Sequence, residues 1–107
     1  MISERRVITF SRDALLSALR HYVVAVQPGL PSEQFRDVHP NKDGSCALTI
    51  EAKNNRSRST VVFTPTQMAA VLLTYAKHRS IPVPRRAQKS VCGDASGISL
   101  IVELDNT

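Results

Sequence analysis

The feature that most constrains this chain is a pattern written twice. A β-branched run ending in an aromatic, "RRVITF", is followed by a hydroxyl residue, an apolar stripe at helical spacing, a proline and a hairpin with a glycine. "RSTVVFT" opens the same series again 53 residues after "RRVITFS" is met. That displacement places Arg5 on Arg58, Phe10 on Phe63, Leu19 on Leu72, Tyr22 on Tyr75, Pro31 on Pro84, Val38 on Val91 and Gly44 on Gly97. Their placement carries more than their number. Pre-helix aromatic, helix stripe, post-helix proline and hairpin glycine coincide without a gap, which points to an internal duplication of residues 5–52 and 58–105. One residue of slippage after the turn also sets Ile50-Glu51 on Val102-Glu103.

Local chemistry assigns an element to each part of the pattern. Ser11 and Thr64 are helix N-caps, since a hydroxyl there accepts from a backbone N–H that has no partner within the helix. Thr64-Pro65-Thr66-Gln67 is the stronger signal, with proline where no N–H is needed and Gln67 able to close a capping box. Leu15, Leu19, Tyr22, Val23 and Val26 form the first helical stripe, and Met68, Val71, Leu72, Tyr75 and Ala76 the second. "QPGLP" ends the first helix, and Pro82 and Pro84 forbid extension of the second. "EQFRDVH", "SCALTIEA", "STVVFT", "QKSVC" and "ISLIVEL" read as strands, separated by the turns "PNKDG", "KNNRSR" and "GDASG".

The expected order is therefore β-α-β-β-β-α-β-β. Neither half can bury a sheet face alone, so the expected fold is one α+β domain spanning 1–107. It is a two-layer sandwich with two helices on one face of a mainly antiparallel sheet, and a pseudo-twofold axis relates the halves. A helix crossing between strands also permits a mixed sheet.

At 107 residues the chain has room for one modest core. No apolar run reaches the length of a membrane span, and "MISERRVITF" lacks the features of a signal peptide, so a cytoplasmic location is expected. Cys46 and Cys92 then read as reduced, packed strand residues rather than a redox pair.

No residue constellation announces a reaction. The glycines at 29, 44, 93 and 97 match no nucleotide-binding loop, and no nucleophile elbow is present. His39 and Cys46 lack the second close pair that a zinc site requires. Neither a cofactor, a metal, a small-molecule substrate nor a catalytic residue is expected. Tyr22 and Tyr75 read as packing residues, and a ligand pocket between them is the sharper alternative.

Charge is the informative asymmetry. Between Glu51 and Asp94 the chain carries no acid but holds Lys53, Arg56, Arg58, Lys77, Arg79, Arg85, Arg86 and Lys89, while the remainder has six basic and nine acidic residues. Such an interval concentrates positive potential and favours an anionic partner. Each cluster alone suits a turn, a helix end or a strand start. Together, Arg56, Arg58, Lys77, Arg79, Arg85, Arg86 and Lys89 are the candidate binding residues. The expected function is a non-enzymatic binding module with nucleic acid as the first candidate partner, held through phosphate contacts. No helix-turn-helix or aromatic RNA-binding signature supports base readout. The competing expectation is a protein-interaction adaptor that meets an acidic patch, or pairs an open sheet edge with a partner or a second copy as a homodimer.

Overall fold

Ser11 and Thr64 set where the helices of this computed structural model begin. The Ser11 hydroxyl accepts from the Ala14 N–H at 3.2 Å. Thr64 forms the full reciprocal box: its hydroxyl accepts from the Gln67 N–H at 3.2 Å, and its own N–H donates to Gln67 Oε1 at 2.8 Å. The structure describes residues 2–26, 29, 31–52 and 57–106.

Eight elements follow in the expected order. They are β1 (Ile2–Ser11), α1 (Arg12–Val26), β2 (Phe35–Pro40), β3 (Cys46–Glu51), β4 (Arg58–Phe63), α2 (Pro65–His78), β5 (Gln88–Asp94) and β6 (Gly97–Asn106). A single 3-10 turn, Ser32–Gln34, leads into β2. The turn "KNNRSR" falls mostly outside the described residues.

The fold is α+β, with helices packed on antiparallel sheets. The strands divide into two sheets of three, β1-β6-β5 and β2-β3-β4, where one sheet was expected, and all pairings are antiparallel. The reason is connectivity. A short connection returns the chain from β3 directly into β4, so the two pair along their whole length, from Glu51 opposite Arg58 to Cys46 opposite Phe63. β4 is thereby committed to the sheet of the first half, and β1 correspondingly pairs with β6 at the other end of the chain.

The registers of the two sheets correspond. Phe10 stands opposite Ile98 as Phe63 stands opposite Cys46, and Ile8 opposite Leu100 as Val61 opposite Leu48. Arg5 opposite Glu103 repeats Arg58 opposite Glu51. The hairpin strands agree as well, with Val38 opposite Leu48 and Val91 opposite Leu100. This is a correspondence of register, and it does not by itself establish an ancestral duplication.

The core lies where the helices meet each other and both sheets. Leu15, Leu19 and Val23 of α1 and Met68, Val71 and Leu72 of α2 are fully or almost fully buried, with Phe35, Leu48, Ile98 and Leu100 from the strands. Fully burying one such side chain contributes about 1.5–3 kcal/mol. α1 packs chiefly on α2 and β2, and α2 on α1 and β5. Tyr22 is only half-buried and Val26 is exposed, so the first stripe is narrower at its end than its spacing suggested. Among the described residues, no helix is long and apolar enough to cross a membrane.

Candidate functional site

The end of α2 builds the site. His78 is its last helical residue, and Ser80 adopts the left-handed conformation with φ 59°. The Ile81 N–H then donates to the Ala76 carbonyl at 2.8 Å and the Ser80 N–H to the Lys77 carbonyl at 3.1 Å. That pair of bonds is a Schellman ending, usually made with glycine at the left-handed position. It folds the chain back so that Ile81, Pro82 and Val83 lie beside Leu73. Further on, Pro84 closes a turn by accepting from the Ala87 N–H at 3.2 Å, which sets Arg85 and Arg86 at its tip.

The result is a groove of about 460 Å³ between α2, the 79–87 connection and the start of β5. Leu73, Ile81, Pro82 and Val83 supply its apolar surface, and Lys77, Arg85 and Lys89 its charge. No acidic residue lines it. The Lys89 ammonium donates to the Arg85 carbonyl at 3.0 Å, holding turn and strand together. Arg6, reaching from β1, donates to the Pro82 carbonyl at 2.7 Å.

Of the seven candidate cations, the structure brings Lys77, Arg85 and Lys89 to this groove. Arg86 sits exposed at the same turn and Arg79 exposed at the α2 C-cap, and neither lines the groove. Arg58 stands on β4 with its guanidinium 3.3 Å from Glu51, already neutralised. Arg56 and Lys53 lie outside the described residues. Among the described residues, the ion pairs are Arg5–Glu103, Arg12–Asp37 and Arg58–Glu51, with His39 Nε2 3.7 Å from Asp37, so none of the three groove cations is in one. Leu73 and Arg6 carry no sequence signal of their place here. Leu73 reads as an ordinary helix residue, and Arg6 as a charge at the start of a strand.

At the 53-residue displacement Leu73 falls on Arg20, whose guanidinium donates to the Phe35 carbonyl at 3.0 Å. Lys77 corresponds to Val24, and Arg85 to Ser32. An arginine lies across the backbone in one half, and a leucine beside open space occupies its place in the other.

Other candidate chemistry dissolves on inspection of the geometry. His21 and His78 stack with ring centroids 4.1 Å apart and planes at 29°, a packing contact between the two helices. Tyr75 packs beside both at 6.0 and 6.1 Å, and neither it nor Tyr22 lines the 460 Å³ groove. Among the described residues, no group of three or more His, Cys, Asp or Glu side chains is placed to hold a metal. Cys46 is fully buried, and that burial pushes its thiol up to about 11. Cys92 corrects the sequence reading: it is exposed, on the outward face of β5.

Compared with known proteins, the chain matches no family model, no curated protein and no solved structure.

Proposed function

We propose that this chain is a non-enzymatic binding module whose groove between α2, the 79–87 connection and the start of β5 receives an anionic partner. The observation that carries the reading is the convergence of Lys77, Arg85 and Lys89 on one concave, partly apolar surface with no carboxylate to neutralise them. Cations left without partners around a cleft attract anionic groups and speed their encounter. Nothing in the groove pairs a nucleophile with a base, which is why a binding role is preferred to a catalytic one.

The test is binding to polyanions at two salt concentrations. Polyglutamate, duplex DNA and single-stranded DNA and RNA should be titrated against the intact chain and against a Lys77→Ser, Arg85→Ser, Lys89→Ser variant. The expected result is binding at low salt to at least one of these, weakened steeply by added salt. The triple variant should lose about tenfold or more, near 1.4 kcal/mol. Absence of binding to all of them at low salt, or binding indifferent to the triple substitution, overturns the reading.

A further inference from the structure

Resting on that reading of the groove, we propose that its ligand is an extended acidic segment of another protein, with an apolar side chain seated against Leu73, Ile81 and Val83. Its carboxylates meet Lys77, Arg85 and Lys89.

Length is the first argument. A second cleft of about 300 Å³ is lined by Pro65, Thr66, Ala69 and Val91, and Lys89 belongs to both clefts. Pro65, Ala69, Leu73 and Lys77 recur every fourth residue and form one ridge of α2. The two clefts meet at Lys89 and lie along this one ridge, which from Pro65 to Lys77 spans about 18 Å at the helical rise of 1.5 Å per residue. An extended chain rising about 3.3 Å per residue fills that length with about five residues. A compact anion fills only one end.

Chemistry is the second argument. The three cations gather at the cleft near the C-terminal end of α2, while the cleft near Pro65 has Lys89 alone. A matching segment carries its acids at one end and neutral or apolar residues at the other. A phosphodiester chain has no apolar group to place on Leu73, Ile81 and Val83. Neither cleft is lined by an aromatic ring on which a base could stack. An acidic peptide with a Leu or Val supplies both halves of the chemistry.

The contrast between the halves is the third. Arg20 occupies the first-half counterpart of the Leu73 position and bonds across to the β2 backbone. The leucine leaves the corresponding space open and makes it apolar. If charge alone were used, an arginine at position 73 would serve better.

The experiment follows from that last point. A fluorescent acidic peptide carrying a Leu-Val pair is titrated by anisotropy against the intact chain. The same peptide with Ser-Ser in place of the pair, and a single-stranded DNA of equal charge, are titrated in parallel. The expected order is Leu-Val peptide tightest, with the Ser-Ser peptide at least about tenfold weaker, near 1.4 kcal/mol. Leu73→Arg should weaken the Leu-Val peptide by a similar factor, because it fills the cleft, while leaving DNA binding unchanged or tighter because it adds a cation. Val83→Arg repeats the test from the other wall, and circular dichroism melts identify any variant that fails to fold. Equal binding of the two peptides, tighter binding of DNA than of the Leu-Val peptide, or tighter peptide binding by Leu73→Arg overturns the acidic-segment proposal, with the anionic groove left standing. Failure of every anion to bind at low salt overturns both.

Discussion

Gly44, in the turn between β2 and β3, stands directly against Val91 of β5 and ties one sheet to the other. It holds φ +89°, and a Cβ built on it would lie 2.8 Å from the Val91 Cβ and 3.0 Å from the Val91 carbonyl carbon. Next to it the Gly93 N–H donates to the Lys42 carbonyl at 3.1 Å, so the turn also covers the far end of the β5 edge. Gly44→Ala meets both the unfavourable backbone region and a close contact. The expected loss is at least about 1 kcal/mol, read as a fall in Tm of about 4–8 °C per kcal/mol. A variant that melts within a degree or so of the parent would show that the two sheets do not depend on this contact.

Thr64→Ala removes one bond of the capping box and leaves the first turn of α2 with an unpaired N–H. The expected cost is about 1 kcal/mol. Gln67→Ala, which leaves the Thr64 hydroxyl in place, should cost less. Urea unfolding of the two variants beside the parent checks the order, and the reverse order would contradict the geometry.

Ser80→Gly is expected to move in the opposite direction. The left-handed conformation costs a non-glycine residue about 1–2 kcal/mol, and part of that returns when glycine takes the position. The added freedom of glycine in the unfolded chain removes about 0.5–1 kcal/mol of the gain. The net expectation is a stabilisation of up to about 1 kcal/mol. A measurable loss would mean that the Ser80 side chain contributes at the groove rim beyond its backbone.

Acid should weaken the fold through its paired aspartates. Asp37 is held below its ordinary value of 3.8, first by the Val38 N–H and then by the Arg12 guanidinium at 2.9 Å. Asp43 and Asp94 are lowered in the same direction by the Ser45 and Ser96 hydroxyls and N–H groups in the two hairpin turns. A depressed folded-state value means the stabilisation is fully present above 3.8 and is lost as pH falls through the folded value. The Asp37 side chain is half-exposed, so its share stays below about 1 kcal/mol. Asp37→Asn should therefore be slightly less stable than the parent near neutral pH, with the gap closing below pH 3.8. A gap that widens on acidification has the wrong sign for this linkage.

The parts legible in the sequence are those decided within a few residues. The caps, the helix stripes and the breaks at proline depend on neighbours in the chain, and Thr64 and Gln67 predict the two hydrogen bonds they exchange. Strand partners depend on distant segments. The turn "KNNRSR" makes a β3–β4 hairpin legible, but nothing near Arg5 states that β1 pairs with β6 at the far end of the chain, and a single sheet was the extrapolation that the two three-stranded sheets correct. The groove is illegible for the same reason. Lys77, Arg85 and Lys89 are separated by up to twelve residues of chain. They converge only because Ser80 takes a conformation that serine seldom announces. Arg58 drops out of the groove set for the same reason, because the strand register that sets it opposite Glu51 appears only in the folded chain.

The two cysteines show how the phase of one strand sets reactivity. Val91 and Cys92 are adjacent and both apolar, so the alternation of β5 does not by itself fix which faces inward. The structure turns Val91 toward the core and Cys92 outward, while Cys46 on β3 is fully buried. The thiolate is the reactive form, and burial holds the Cys46 thiol at about 11, well above working pH. In the native protein at mildly alkaline pH, a disulfide-exchange reagent such as DTNB should titrate one thiol quickly and the second only after denaturant is added. Cys92→Ser should abolish the fast phase, and Cys46→Ala should leave it intact. Rapid reaction of both thiols in the folded state would place Cys46 at the surface and break the assignment of the β3 face to the core.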